Sequence, residues 1–233
     1  MKRFWQDARA VELGDGHEGR WGVELDAKPL RTPAKATLAL SGEKLARAIA
    51  AEWAAAGETF EPRQMPLTGL ANAAIDRVAA DRAGFAKGLA RYAEADLFCY
   101  RAEGPPKLVE RQAEAWDRLI EWARGRYQIG FALTDGIRHI AQPVETVERL
   151  AQAVTQQGAF ALAGLSPLVT IGGSLVAALA VIEQAVEPEA AWDAVSVDEA
   201  WQIETWGDDA EAVAMMAGRR RDWMDAARFL ALV

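Results

Sequence analysis

Residues 20–40, RWGVELDAKPLRTPAKATLAL, decide the fold of the first part of this chain. Short β-like runs at 10–13, 20–26, 29–32 and 37–40 alternate with turn-forming residues at 14–16 and 26–29. This alternation predicts a small antiparallel meander. Leu45, Ile49 and Trp53 follow at four-residue spacing, so we expect a helix that covers the sheet.

Beyond Pro62 and Pro66 the apolar residues recur at helical spacing almost to the end of the chain. A helix should begin at Pro105-Pro106 and stop at Gly125, and further helices are predicted over 144–156, 174–185, 197–206 and 210–233. We therefore predict an α+β fold. A small β-rich domain with one covering helix should occupy 1–62, and a larger all-α domain should occupy 63–233.

Composition excludes several classes of protein. The 233 residues are 51% apolar, and such a chain can bury a full core. Its one cysteine, Cys99, cannot form an internal disulfide, which favours a reducing compartment such as the cytoplasm or an organelle matrix. The net charge of -8 disfavours nucleic acid as a partner, because phosphate binding requires clustered Lys and Arg.

The negative charge is concentrated in one segment. Residues 150–218 contain no Lys or Arg and ten acids, whereas the other 164 residues sum to +2. Trp192, Trp201 and Trp206 lie in the same segment. Two interpretations stay open: a solvated helix face, or an acidic surface that binds a protein partner.

The same segment begins with a long uncharged stretch, residues 150–182. Its part from 159 to 182 is long enough to span a bilayer. However, Ser166-Pro167 and Gly172-Gly173 divide it, and its downstream flank is acidic rather than basic. We predict a pair of buried helices and no insertion into a membrane.

Motifs for chemistry are weak. Gly14, Gly16 and Gly19 match a dinucleotide-binding pattern, but a strand-like run follows them and Asp15 and Glu18 would repel phosphate, so we predict a hairpin turn. Asp198-Glu199 and Asp208-Asp209 offer carboxylates for a divalent cation, which leaves a metal-dependent enzyme as the alternative function. Adjacent helical residues point about 100° apart, which argues against convergence.

Thr68, Asn72 and Asp76 form a polar stripe at four-residue spacing, opposite an apolar stripe. Such a stripe is typical of a helix cap with hydrogen bonds to a neighbouring domain, and a ligand site is the alternative.

Five separated segments resemble one known family. They are LDAKPLRTP from Leu25, AEW from Ala51, MPLTGLANAAID from Met65, DLFCYRA from Asp96 and DEAWQIETWG from Asp198. Their order and spacing are similar to those of the ATP12 family, the assembly chaperones of mitochondria and alpha-proteobacteria that receive the alpha subunit of the ATP synthase F-one sector. Two positions depart from the family pattern, Ala27 where a turn glycine is expected and Ala73 where a threonine is expected.

The resemblance implies a chaperone without enzymatic activity, metal or cofactor, monomeric when free. It would bind the free alpha subunit and cover the surface that later meets the beta subunit. Transferred to this sequence, Asp198 is the first candidate for partner binding, accompanied by Glu199, Gln202, Glu204 and Trp206. The other motif positions, Asn72, Asp76, Asp96, Tyr100 and Arg101, are expected to be structural.

Overall fold

The computed structural model describes residues 2–14, 16, 20–207 and 209–233, and it contains the predicted antiparallel meander. Strand β1 (Ala8–Glu12) pairs with β2 (Trp21–Leu25), and β2 pairs with β3 (Lys28–Pro29). Residues 37–40 make only isolated bridges, so the fourth predicted run is not a strand. The antiparallel β1–β2 pair confirms the hairpin, although Asp15, His17, Glu18 and Gly19 of its turn lie outside the described residues.

The turn between β2 and β3 contains Ala27, one of the two departures from the family pattern. Asp26 and Ala27 have φ angles of 50° and 63°, both in the left-handed region. Two-residue hairpin turns of this kind favour glycine, because a Cβ atom is strained there. The Asp26 carboxylate compensates in part, since its Oδ1 accepts hydrogen bonds from the backbone N–H groups of Gln6 and Asp7, both at 2.9 Å.

Ala27→Gly is therefore expected to stabilise the protein by about 0.5–1 kcal/mol, because it relieves the strain of a left-handed alanine. Urea unfolding measures the difference. The matched control is Ala51→Gly, on the exposed face of the covering helix, which should lose about 1 kcal/mol. A loss of stability in both variants would contradict the turn assignment.

Helix α1 (Glu43–Ala55) covers the sheet, as predicted. Its Leu45 and Ile49 are fully buried in a core that also contains Val23 and Leu40 of the meander region. Phe229 joins the same core and stacks on Phe160 with 6.4 Å between ring centres. Two segments from late in the chain thus complete the core around the sheet.

The carboxylate of Glu52, on α1, holds the start of helix α2 (Pro66–Ala73). It accepts hydrogen bonds from the backbone N–H groups of Leu67 and Thr68 at 2.8 and 2.9 Å, and from the Thr68 hydroxyl at 2.8 Å. These orphan N–H groups are the ones that a cap normally satisfies. Thr68 is therefore not the cap that the polar stripe suggested. Glu52 supplies the cap instead, so the segments AEW and MPLTGLANAAID are in direct contact.

The remaining elements are mostly helical, and the mixed α+β class is confirmed. Helix α8 (Pro188–Val195) and a π-helical turn at Ala74–Val78 were not predicted, and α4 (Pro106–Tyr127) continues two residues past Gly125. The helices are α3 (Arg82–Ala90), α4 (Pro106–Tyr127), α5 (Val144–Thr155), α6 (Ala159–Gly172), α7 (Leu175–Ile182), α8 (Pro188–Val195), α9 (Val197–Trp206) and α10 (Ala210–Leu230), with short 3₁₀ turns at Pro62–Gln64, Ala79–Asp81, Arg91–Glu94 and Leu97–Cys99, and a two-stranded parallel ribbon of β4 (Tyr100–Arg101) and β5 (Thr134–Asp135).

The uncharged stretch forms the predicted buried helices, α6 and α7. Seven of the eight residues of α7 are buried, and Gly173 between the helices has a φ of 67°. Pro167 does not divide α6, contrary to the prediction: the helix runs through it. Among the described residues, no helix is both long and apolar enough to cross a membrane.

Two compact units make up the chain. The first contains the residues up to Arg82 together with Gly158–Gly164 and Arg228–Val233, and the second contains Ala83–Gln157 and Leu165–Ala227. The domain boundary predicted after residue 62 stays a prediction.

Candidate functional site

A buried carboxylate organises the second unit. Asp96 is fully buried, and its Oδ1 accepts hydrogen bonds from the Phe98 N–H at 3.1 Å and the Ser174 hydroxyl at 2.8 Å. Its Oδ2 accepts from the Val176 N–H at 2.9 Å. One side chain thus satisfies the first N–H groups of a 3₁₀ turn and of α7. Ser174 caps α7, because its hydroxyl accepts from the Ala177 N–H at 3.0 Å.

The residues that follow Asp96 connect it to α4, chiefly through Arg101. Arg101 donates to the Phe98 carbonyl at 2.9 Å, forms an ion pair with Asp117 at 2.8 Å and lies 5.2 Å from the centre of the Trp116 ring. Tyr100 shares a hydrogen bond of 3.2 Å with His139. That Asp96, Tyr100 and Arg101 have a structural role stays a prediction.

Trp116 connects α4 with α8. It is completely buried, stacks on Phe98 at 5.4 Å and donates its indole N–H to the Ala194 carbonyl at 2.6 Å. Helix α9 follows α8 directly, so this contact positions the helix that carries all five predicted partner-binding residues.

Helix α9 lies on the surface. None of its ten residues is buried, and Gln202, Glu204 and Trp206 are exposed. The sequence predicts its bounds correctly, from residue 197 to residue 206. A helix without buried residues gains little from the hydrophobic effect, so polar contacts to its neighbours must hold it.

One face of α9 contacts α4. Asp198 Oδ1 accepts a hydrogen bond of 2.7 Å from the Gln112 side chain, and Glu204 forms an ion pair of 2.7 Å with Arg111. The Arg111 guanidinium also lies 5.1 Å from the centre of the Trp201 ring. These three α9 residues recur at three-residue spacing, which places them on one side of the helix.

A different face of α9 contacts α10. Glu199 forms an ion pair of 2.9 Å with Arg219, and Arg219 also donates to the Ile171 carbonyl at 2.8 Å. Glu199, Gln202, Ile203 and Trp206 line a groove between the two helices. Asp198 and Glu199 thus point to different helices, as the 100° argument predicts.

Electrostatics distinguish the two acids on the α4 face. Burial raises the pKa of Asp198, and the negative charge of Glu199 adds to the shift, whereas the hydrogen bond from Gln112 opposes it. The hydrogen bond from Arg111 lowers the pKa of Glu204. Glu204 and Glu199 of the segment 150–218 thus pair with arginines from outside that segment, Arg111 and Arg219. These ion pairs neutralise part of the predicted negative surface.

The described carboxylates do not converge as a metal-dependent enzyme, the alternative function, would require. Within the described ranges, no group of three or more His, Cys, Asp or Glu side chains is placed to hold a metal ion. Asp209 Oδ1 accepts from the Glu211 N–H at 3.0 Å at the start of α10, and Asp208 lies outside the described residues.

Two of the predicted motif residues lie in the other unit. Asn72 is half-buried on α2, and Asp76 lies in the π-helical turn, where its Oδ2 accepts from the Ala34 N–H at 3.0 Å. Asp76 Oδ1 is buried, and no partner for it is found in the part of the chain that the structure describes.

The residues that hold α9, namely Gln112, Arg111 and Arg219, were not predicted from the sequence. Gln112 had a detectable signal, since it is a polar residue in the apolar stripe of α4, midway between Leu108 and Trp116. Its other amide atom, Oε1, accepts from the Ala102 N–H at 2.7 Å. Nothing in the spacing of Arg111 and Arg219 indicates their partners.

Comparisons with known proteins agree with the resemblance. The sequence model of the ATP12 chaperone protein family matches residues 2–124. The crystal structure of Atp12 from Paracoccus denitrificans is 40% identical, with coverage of 99% of this chain and 97% of that chain and a TM-score of 0.92. A variant of that protein with an aspartate replaced by lysine matches equally well, with a TM-score of 0.92. Atu1473 from Agrobacterium tumefaciens, described as a candidate chaperone, is 36% identical, with a TM-score of 0.92 and coverage of 99% of this chain and 85% of that one.

Proposed function

The chain belongs to the ATP12 chaperone protein family, and from this premise we propose that it binds the free alpha subunit of the ATP synthase F-one sector. The bound chaperone covers the surface of the alpha subunit that later meets the beta subunit. It acts without nucleotide, metal or chemistry, in the bacterial cytoplasm or the mitochondrial matrix. Its mechanism is a difference in affinity, since the covered surface is available only before assembly.

One observation carries this proposal: α9 has no buried residue and presents Gln202 and Trp206 to solvent. A helix with so little core contact has a weak structural reason to place a tryptophan at its exposed end. Tryptophan is among the residues that contribute most to protein interfaces.

The basic test is capture of the isolated alpha subunit. The full chain, immobilised through an affinity tag, should retain the alpha subunit at about equal stoichiometry in buffer that contains EDTA and no nucleotide. The isolated beta subunit serves as the control and should pass through. Failure to retain the alpha subunit, or equal retention of both subunits, contradicts the proposal. Activity or stabilisation that requires a divalent cation would favour the enzyme alternative.

Asp198→Lys is expected to weaken alpha-subunit capture at least tenfold. The ammonium group would face the Gln112 amide in place of an acceptor at 2.7 Å, and it would add positive charge beside Arg111, so α9 would shift on α4. Capture is measured by titration of the alpha subunit, and circular dichroism checks that the helical fold remains.

Two further variants serve as controls for Asp198. Asp198→Asn keeps an oxygen that can accept from Gln112, so its capture should stay within about twofold of the wild type. Asp193→Lys makes the same change of charge at an exposed position of α8 and should have no effect. Normal capture by Asp198→Lys would exclude a role for this position.

A further inference from the structure

The groove between α9 and α10 is built from residues at matching helical spacing. Its α9 wall consists of Glu199, Gln202, Ile203 and Trp206, and its α10 wall of Ala212, Met215, Met216 and Arg219. The cavity has a volume of about 310 Å³ and is open to solvent. The spacing within each wall, i, i+3, i+4 and i+7, puts every one of these side chains on the facing sides of the two helices.

The end of the groove at Trp206, called the open end below, exposes large apolar side chains. Trp206 is 76% exposed and Met215 is 62% exposed, and the neighbouring Val213 is 40% exposed. Exposed apolar side chains that cluster in this way mark interaction surfaces, whereas isolated ones are ordinary. Methionine adapts its shape to a bound surface, and tryptophan supplies a large contact area.

Charge differs between the two ends of the groove. At the end opposite Trp206, the positive charge of Arg219 is matched by Glu199. At the open end, Asp209 and Glu211 are exposed and take part in none of the ion pairs found among the described residues. No Lys or Arg of the sequence lies between residues 150 and 218 to neutralise them locally. The open end is therefore apolar with a negative rim.

We propose that this groove binds an apolar segment of the alpha subunit that carries Lys or Arg beside its apolar residues. The inference rests on the proposed function and specifies the chemistry of the bound segment. Apolar side chains would cover Trp206 and Met215, and the adjacent base would face Asp209 and Glu211. A second copy of this chain fits less well because it brings the same acids, and an anionic membrane surface would be repelled.

The proposal assigns different roles to the predicted partner-binding residues. Trp206 and Gln202 contact the partner. Asp198 and Glu204 face α4, so they are positioning residues that hold α9 in place. Glu199 forms an ion pair with Arg219 across the other end of the groove. This assignment explains why Asp198→Asn should retain capture and Asp198→Lys should lose it.

Substitution of the exposed apolar residues tests the groove. Trp206→Ser and Met215→Ser should each weaken capture of the isolated alpha subunit at least tenfold, with an unchanged midpoint of thermal unfolding. Ile137→Ser is the matched control, because Ile137 is fully exposed on a different loop of the same unit, and its capture should equal that of the wild type. If wild-type chain does not capture the alpha subunit, the proposed function fails. If wild type captures it and both groove variants do so equally well, the groove inference fails and the function stands.

Site-specific crosslinking identifies the bound segment. Cys99 is buried, and burial raises the pKa of its thiol to about 12, so Val213→Cys, at an exposed position beside the groove, provides one reactive thiol for a photo-crosslinker. The expected product joins Val213→Cys to an apolar alpha-subunit peptide that contains Lys or Arg, and Ile137→Cys gives no such product. Crosslinking to a second copy of this chain, or to a peptide without bases, would overturn the proposal.

Discussion

Asp96→Ala is expected to lower the free energy of unfolding by about 3–5 kcal/mol. The substitution removes the acceptor for the Phe98 and Val176 N–H groups and for the Ser174 hydroxyl, in a place where water does not reach. Each unsatisfied buried donor costs about 1–3 kcal/mol, and the N-terminus of α7 loses its anchor at the same time. Urea unfolding followed by circular dichroism measures the loss.

The control for Asp96 is Asp193→Ala, which removes an exposed carboxylate from α8 and should change stability by less than about 0.5 kcal/mol. A change as small in Asp96→Ala would show that the buried carboxylate does not organise the second unit.

The pH dependence of stability provides a second readout for Asp96. Burial raises the pKa of Asp96 from its ordinary value of 3.8 to about 6, against the opposing effect of its hydrogen bonds. Because the folded pKa lies above the unfolded one, this contribution to stability is fully present below pH 4 and is lost as the pH rises through 6. Relative to Asp96→Asn, the wild type should thus lose up to about 3 kcal/mol between pH 4 and pH 7. If the wild type instead gained stability relative to Asp96→Asn over this pH range, the pKa of Asp96 would not be raised in the folded state.

Trp116→Ala is expected to cost about 4 kcal/mol, which is typical when a fully buried aromatic side chain is truncated. The change leaves a cavity beside Phe98, removes the ring beneath Arg101 and leaves the Ala194 carbonyl without its donor. Because α8 leads directly into α9, we also expect weaker capture of the alpha subunit. Urea unfolding measures the first effect and titration of the alpha subunit the second.

Trp116→Phe separates packing from hydrogen bonding. It keeps an aromatic ring against Phe98 but lacks the indole N–H, so it should lose only about 1–2 kcal/mol. A similar loss in both variants would indicate that the hydrogen bond to Ala194, rather than ring packing, links α4 to α8.

Periodicity was sufficient to predict the elements whose environment is uniform along their length. Leu45 and Ile49 recur at helical spacing because α1 rests one face on the sheet, and the β1–β2 hairpin follows from turn residues between short runs. The bounds of α9 were also correct, since Gly207 follows directly with a φ of 92° and ends the helix. These signals are local, because each lies entirely within one segment of the sequence.

Contacts between distant segments were not predictable in this way. Glu199 and Arg219 are 20 residues apart, and Gln112 and Asp198 are 86 apart, so only the folded chain brings them together. The charge count therefore overstated the negative surface of residues 150–218. Pro167 also misled the prediction, because the buried surroundings of α6 outweigh the lost hydrogen bond and let the helix continue.

The sequence predicted the helix that carries the candidate partner-binding residues, but it did not predict their contacts. Asp198 leads the motif in sequence, yet its carboxylate is half-buried against Gln112. Trp206 closes the motif and is the residue that solvent reaches. A motif read from sequence does not distinguish the residues that hold a surface from those that form it, because both must be present for the surface to work.

Equilibrium binding to free and to assembled alpha subunit tests the proposed difference in affinity. The fluorescently labelled chain would be titrated with isolated alpha subunit and, separately, with assembled alpha–beta complex, without nucleotide or metal. We expect saturable binding of one chain per free alpha subunit and no binding to the assembled complex, because the beta subunits would cover the proposed binding surface there. Equal binding to both forms, or binding to neither, would contradict it.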